Sequence, residues 1–545
     1  MIGVVADPKE HAALGEFFEV FKTPWELYRR GGEYEVLLST GDCEFEPGAA
    51  KLVVLYSGRK LHWDEQNHIE IGSEANAGWA RFQGIKLPIY GDSISFRSPD
   101  GDVPDQVACT RRAGGKTFTR VGYGLAGEVS ALLTEGQPAA NAAIPTLELH
   151  IALLRDIILA NGIPLVEIPP VPDGYSFIAC LTHDIDHPSL RQHRWDHTML
   201  GFLYRAVIGS VIDAIRGRKP VKHVWANWLA ALNLPLVHLG LATDFWFQFD
   251  RYVEIEGGFP SSFFVIPFKH DPGKTRDGTA PGRRASAYGA PDIADCLYKL
   301  RAAGCEIGLH GLDAWIDASR GQEEFAQIKR VMGGQQQDEV GVRMHWLYFD
   351  RQSPVTLEQS GASYDSTVGY NETIGYRAGT TQVYKPLSTV RLLELPLHVM
   401  DTALFYPSYL HLSAEEARKQ ISGMIDNAVR FGGSITLNWH DRSLAPERLW
   451  GDTYANAIEE CKAKGAWICT AAQAVSWFRR RRAASFESGR WKSNTLPARV
   501  PAAIRAKLPG LRLRFHQPRH PLQNNSRVEY RDLSLTESLE ARVTA

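Results

Sequence analysis

Apolar and polar positions along this chain follow two periods, and the switches between them outline its elements. Tyr175-Ser176-Phe177-Ile178-Ala179-Cys180 is a nearly continuous apolar run of the kind a buried strand carries. It leads directly into Leu181-Thr182-His183-Asp184-Ile185-Asp186-His187. Downstream, short apolar runs alternate with stretches of helical spacing. The pattern predicts strands over 261–266, 305–311, 340–346, 392–397 and 433–440, and helices over 293–303, 323–332 and 413–431. Such alternation is the signature of βα units and predicts an α/β fold, a parallel (β/α) barrel over 166–480 with a helical, aromatic-rich insertion near 193–250.

Ahead of that region, residues 1–165 read as a separate α/β domain of unassigned role. A short helix over 16–22 stops before Pro24, strands are expected over 34–39 and 51–56, and a helix over 146–160 ends at Asn161-Gly162. The stretch 71–96, rich in glycine and aromatics, fits neither period. After Arg479-Arg480-Arg481-Arg482, residues 481–545 form a small basic C-terminal extension, read as solvated surface with a frayed end.

Composition narrows the classes. A chain of 545 residues is too long for one ordinary domain, and 44% hydrophobic residues with 14 tryptophans support a large core. A net charge of −2 argues against a nucleic-acid partner. Seven cysteines without C-x-x-C spacing fit reduced thiols and a cytoplasmic location. The opening Met1-Ile2-Gly3-Val4-Val5-Ala6-Asp7 lacks the basic-then-apolar pattern of an export signal. Residues 198–215 are interrupted by Arg205 and Asp213, so they read as a buried or interfacial helix, and no transmembrane segment is expected. The apolar faces of 193–250 would cover the barrel or join copies in a homo-oligomer.

The chemistry collects at strand ends. In a strand, side chains two apart share a face, so Asp184 and Asp186 face together with His183 and His187 beside them. Burying such a cluster is costly unless a metal, a proton or a cation compensates it. His310, Arg343, His345 and His440 also fall at predicted strand ends, where barrels of this type place their chemistry. Between the strands, the long loop 269–288 carries Arg283, Arg284 and Tyr288, suited to a sugar, phosphate or carboxylate, and Trp315, Trp346 and Trp439 stand beside the motifs where they could stack on a sugar ring.

The ordered set resembles the polysaccharide deacetylase family, carbohydrate esterases that remove acetyl groups from sugars. Thr182-His183-Asp184-Ile185-Asp186 stands where that family carries Thr-Phe-Asp-Asp-Gly. Glu306-Ile307-Gly308-Leu309-His310 resembles the approach to its His-Ser/Thr-x-x-x-His motif, Gly341-Val342-Arg343 its arginine motif, and Leu437-Asn438-Trp439-His440 its closing Leu-x-His motif. Gly375-Tyr376-Arg377-Ala378-Gly379-Thr380 is similar to a motif of a divergent branch with Thr-His-Asp-Val/Ile-Asp.

The resemblance implies a deacetylase-type barrel and hydrolysis of an amide or ester by water activated at a divalent metal, zinc being the expected ion. Asp186 and His310 would be ligands, Asp184 the base, His440 the acid, and Arg343 or Arg377 the cation beside the base. The second family histidine is replaced by Ala314, so a third ligand must come from elsewhere: His345, two residues past Arg343, or Asp313. The implied partner is a carbohydrate or acylated sugar precursor in cell-surface polysaccharide metabolism, contacted by Arg284, Tyr288, Trp346 and Trp439. A catalytically silent sugar-binding protein and a metal-independent cyclic-amide hydrolase are the competing readings.

Overall fold

The structure is a computed structural model of the full chain, and it describes residues 1–42, 44–82, 85–97, 106–217, 220–334, 339–487, 490–493, 508–518 and 530–535. Two compact units divide it: Met1–Gly174 with Tyr376–Leu387 and Ser476–Ala545, and Tyr175–Gly375 with Ser388–Val475.

The second unit is built on seven parallel strands, β1 (Phe177–Ile185), β2 (Ser262–Val265), β3 (Glu306–Gly311), β4 (Val342–Met344), β5 (Val399–Met400), β6 (Ser434–Asn438) and β7 (Ala466–Cys469). Their order is β4-β3-β2-β1-β6-β5, with β7 paired to the first half of β1. All nine residues of β1 are buried, which is why its sequence is apolar on both faces up to the motif. Helices return the chain between strands. The helix Ala414–Phe431 opens on a capping box of Ser413 and Glu416, buries Ala417, Ile421, Met424 and Ala428 along one stripe, and stops at Gly432 at φ 77° to turn into β6.

The row is a curled sheet rather than the closed barrel expected. Beyond β4 it continues only as the single bridges Val342–Asp365 and Asp365–Glu394. The expected strand over 392–397 is reduced to the bridge at Glu394 because Pro396 lacks the N–H a ladder needs. The inserted region folds as helices over His197–Leu203, Ser210–Ile215 and Val221–His238, the first two joined by a π-helical stretch, Tyr204–Gly209.

β1 is anchored from the face opposite its aspartates. His183 Nδ1 lies 2.8 Å from the Trp439 carbonyl and Nε2 lies 2.7 Å from Glu256 Oε1. Tyr454 and Ser261 each donate to the same Glu256 carboxylate at 2.8 Å, and both His183 and Glu256 side chains are fully buried.

In the first unit a six-stranded sheet runs Trp25–Leu27, Ile2–Val5, Val36–Ser39, Leu52–Tyr56, Lys116–Val121, Ala108–Ala113. The unassigned stretch 71–96 is a long antiparallel hairpin, Ile71–Phe82 with Ile85–Phe96. Parts of the C-terminal segment fold into this unit: Leu511–His516 pairs with both Leu165–Glu167 and Tyr530–Leu535. Two arginines of the basic run are internal ties rather than solvated charges. Arg481 donates to the Ile168 and Val20 carbonyls at 2.9 and 3.0 Å, and Arg482 pairs with Glu16 at 2.7 Å. The end of the chain expected to fray begins after Gln523; Tyr530–Leu535 within it is a strand, and 524–529 and 536–545 lie outside the described residues.

Replacing Glu256 takes the buried carboxylate from His183 Nε2 and from the Ser261 and Tyr454 hydroxyls. Glu256→Ala should therefore cost about 3–5 kcal/mol, read as a lower urea midpoint of the unit's unfolding transition.

Candidate active site

At the carboxyl end of β1 the period-2 alternation turns Thr182 and Asp184 away from His183 and into the curl of the sheet. Asp184 is held at both oxygens. Arg343 of β4 donates to Oδ1 at 3.0 Å and Asn438 of β6 donates to Oδ2 at 2.8 Å. The same guanidinium donates to Thr182 Oγ1 at 2.8 Å and to the Ser366 carbonyl at 3.0 Å, so Arg343 has little freedom to move. Each carboxylate oxygen keeps a further lone pair, so Asp184 can still accept a proton.

Asp186 stands just past the strand. His310, on β3, and His345, one residue past β4, each set Nε2 at 3.4 Å from Asp186 Oδ1. One donor atom from each residue lies within 4.8 Å of the others. His310 Nδ1 lies 2.9 Å from the Arg343 carbonyl; a carbonyl only accepts, so the proton is on Nδ1 and the Nε2 lone pair faces Asp186. The Asp186 Oδ1 atom is shielded from solvent and lacks a hydrogen-bond partner. Donors about 2.1 Å from a tetrahedral ion stand about 3.4 Å apart, so this set fits a divalent cation, with a position left for water. Burial alone would raise the Asp186 carboxyl, but the surrounding imidazoles, the protonated His440 among them, outweigh it and hold it well below the usual carboxylate range. Burial keeps His345 well below the usual imidazole value despite Asp186, leaving it neutral as a ligand must be.

Opposite stands His440, two residues past the end of β6. Its Nδ1 pairs with Asp401 Oδ1 at 2.6 Å, while Nε2 turns inward, 3.9 Å from Asp186 Oδ2. Asp401 is fully buried and also accepts from the His440 N–H and the Ser443 hydroxyl. Burial would lower the imidazole, but Asp401, with Asp186 and Asp184 behind it, pushes it up to about 10. Asp401 escaped the sequence reading because β5 is two residues long and shows no period; its one signal was an acid closing the apolar run Leu397-His398-Val399-Met400.

A cavity of about 710 Å³ opens over these groups; Asp184, Asp186, His310, His345 and His440 all line it, with Trp346 on its wall. Trp346 reaches it from a tight turn at φ 63°, with Arg283 5.5 Å above its ring. Asp313 does not join the cluster. Its Oδ1 accepts the Lys274 N–H at 2.6 Å and its other oxygen faces Arg320 at 3.6 Å.

Three of the expected substrate contacts are corrected. Tyr288 is fully buried, its hydroxyl donating to the Ile185 carbonyl at 2.5 Å and accepting the Ile266 N–H at 3.0 Å. Trp439, between Asn438 and His440, points to the opposite face and stacks on Tyr454 at 5.0 Å. Arg284 borders the cavity, but its Nη1 and Nη2 donate to the Pro272, Leu312 and His345 carbonyls and its buried Nε is left without a partner, so it shapes the loop rather than offering an open fork to a ligand. Arg377, expected beside the base, belongs to the first unit, in the segment Tyr376–Leu387, and does not line this cavity.

No protein-family model and no curated protein matches the chain. Solved structures do. One is a Mycobacterium smegmatis protein described as a polysaccharide deacetylase, at 15% identity and TM-score 0.32, covering 56% of this chain and 93% of that one. Another is a family 4 carbohydrate esterase from Streptomyces lividans, at 10% identity and TM-score 0.23, covering 54% and 92%. A third is a GH57 branching enzyme from Thermococcus kodakaraensis, at 10% identity and TM-score 0.32, covering 55% and 71%. The functional reading rests on the site.

Elemental analysis of the purified protein should find a divalent metal that Asp186→Ala, His310→Ala and His345→Ala each reduce by about tenfold or more, and that Asp313→Ala leaves in place. Unchanged metal in His345→Ala would remove it from the ligand set.

Proposed function

We propose that the chain is a metal-dependent hydrolase that removes an acyl group, N- or O-acetyl, from a sugar or sugar precursor in cell-surface polysaccharide metabolism. The observation that carries this reading is the arrangement around one cavity: Asp186, His310 and His345 flanked by the Asp184–Arg343 pair on one side and the His440–Asp401 pair on the other. A divalent cation held by those three ligands, zinc by the chemistry of its donors, would supply a Lewis acid that acidifies water and polarises the acyl oxygen.

The remaining work falls to the chain's own groups. Asp184 takes the proton of the attacking water, with Arg343 and Asn438 fixing the direction of its lone pairs. His440 carries its second proton on Nε2, because Asp401 holds Nδ1, and delivers it to the departing amine or alkoxide. Arg343 and Asp401 act through these two groups and are positioning residues. Trp346 offers its ring to a sugar face. A cytoplasmic site of action is part of the proposal, supported by six unpaired thiols at Cys109, Cys180, Cys296, Cys305, Cys461 and Cys469.

Acetate release from a panel of acetylated sugars tests the reading. Asp184→Asn should lower kcat by about 10²- to 10⁴-fold while retaining metal. Wild-type activity in that variant would refute the assignment, and sugar binding with no turnover by the metal-loaded wild type would favour a silent binding protein.

The acid has its own test. His440 must be protonated to act, so activity falls as pH rises through its pKa. Asp401→Asn removes the charge that favours the imidazolium. The alkaline limb of kcat/KM should move to lower pH by about one unit or more. A limb that stays in place would exclude His440 as the titrating acid.

A further inference from the structure

The wall of the cavity carries a second cluster, distinct from the proposed metal ligands. Arg205, Arg442 and Arg448 all line it. Arg442 and Arg448 are 3% and 7% exposed, and all three bury an Nε that has no partner. Arg442 donates to Glu447 at 3.2 Å and Arg448 to the Tyr406 hydroxyl at 2.6 Å. Two further carboxylates lie near them: Asp401, already taken by His440 and Ser443, and Asp441, pushed up to about 7 by burial and by Asp186. Burial and the two neighbouring guanidinium groups lower Arg205 to about 10. Cations gathered in a shielded place are costly unless an anion joins them.

We propose that Arg205, Arg442 and Arg448 form a phosphate subsite, so that the acylated sugar enters as a phosphate- or diphosphate-linked form. Three planar forks suit a tetrahedral, many-oxygen anion better than a carboxylate, which one fork satisfies. The substrate assignment rests on the hydrolase reading; the anion site does not. Isothermal titration of the full chain with inorganic pyrophosphate, after divalent metal is removed, reads binding without turnover. Saturable binding that Arg205→Gln weakens about tenfold or more, at unchanged Tm, is expected, and Arg448→Lys should weaken it too. Equal affinity in wild type and Arg205→Gln, no saturable binding, or tighter binding of glucuronate than of pyrophosphate would overturn the proposal.

An independent observation concerns the helix that carries Arg205. Its inner side packs Met199, Phe202 and Ala206 into a buried cluster with Ala230, Leu234 and Val237 of the next helix. Its outer side exposes Leu200, Tyr204, Ile208 and Ile215, and the next helix exposes Trp225, Leu229, Leu232 and Leu236 at the same helical spacing. Leu232 is 75% exposed and Trp225 62%. Helices apolar all round belong in a core or at a lipid boundary. The sequence joining them, Arg216-Gly217-Arg218-Lys219-Pro220, is basic, Lys222 and His223 open the next helix, and Asp213 is the one acid in 197–238. By length and composition the helix His197–Ile215 is long and apolar enough to cross a membrane. However, Arg205, Asp213 and the charged connection weigh against crossing.

We infer that this helix pair docks the protein on an anionic lipid bilayer, lying in the interface with Arg216 and Lys222 among the headgroups. Sedimentation with phosphatidylcholine vesicles, with and without phosphatidylglycerol, tests it. Binding to the anionic vesicles that weakens in high salt is expected. The exposed double variant Leu229→Asp/Leu232→Asp should reduce it about tenfold or more, and Arg216→Glu/Lys222→Glu should reduce it on anionic vesicles. Wild-type protein that binds neither vesicle, or a solution dimer that the Leu229→Asp/Leu232→Asp variant dissolves, would assign the face elsewhere.

Discussion

The ion pair between Arg343 and Asp184 is the constraint on which the site depends. The two residues lie on β4 and β1, three strand positions apart, which in a flat sheet would separate them by about 14 Å. Their side chains meet at 3.0 Å, fully or almost fully buried, so the sheet must curl until its β4 edge faces β1. That curl brings the carboxyl ends of β1, β3, β4 and β6 around one cavity. It also explains why the arginine is tied to Thr182 and Ser366 as well: a buried charge that spans the curl needs every donor satisfied.

The same alternation serves both sides of the sheet. On β1, Asp184 faces the cavity and His183 the packed interior, where Glu256 fixes it. At the end of β6, Asn438 and, beyond it, His440 face in and Trp439 faces out. Around β4, Arg343 and His345 face in. Each chemical residue thus has an immediate neighbour locked on the opposite face, and the tight packing of that neighbour limits the motion of the site residue beside it.

Much of this was legible in the sequence because period two is a strong signal in buried strands. The apolar run before Asp184, the ionisable residues at successive strand ends, and the place of His345 two residues past Arg343 all follow from it. The same rule would have turned Trp439 away from the cavity, since it sits between two inward residues. Asp401 was not legible because its strand is too short, nor were Arg442 and Arg448, whose loop carries no period; Arg205 showed only as a charge interrupting an apolar helix. Tyr288 and Arg284 read as binding groups because a loop rich in polar residues says nothing about which of them its own backbone will use. The motif around Arg377 stood in the right order along the chain, but order does not report that its segment folds into the other unit.

The pairing of Leu165–Glu167 with Leu511–His516 has a consequence for synthesis. Arg514 lies opposite Glu167, about 350 residues later in the chain. At roughly 5–20 residues per second, the ribosome would need about 20 to 70 s to deliver that partner. Throughout that interval Leu165–Glu167 offers open backbone groups to any passing strand. The site unit meanwhile emerges and gathers its sheet around β1. The first unit to be translated is thus completed only after the second has emerged, and that edge stays open in the meantime.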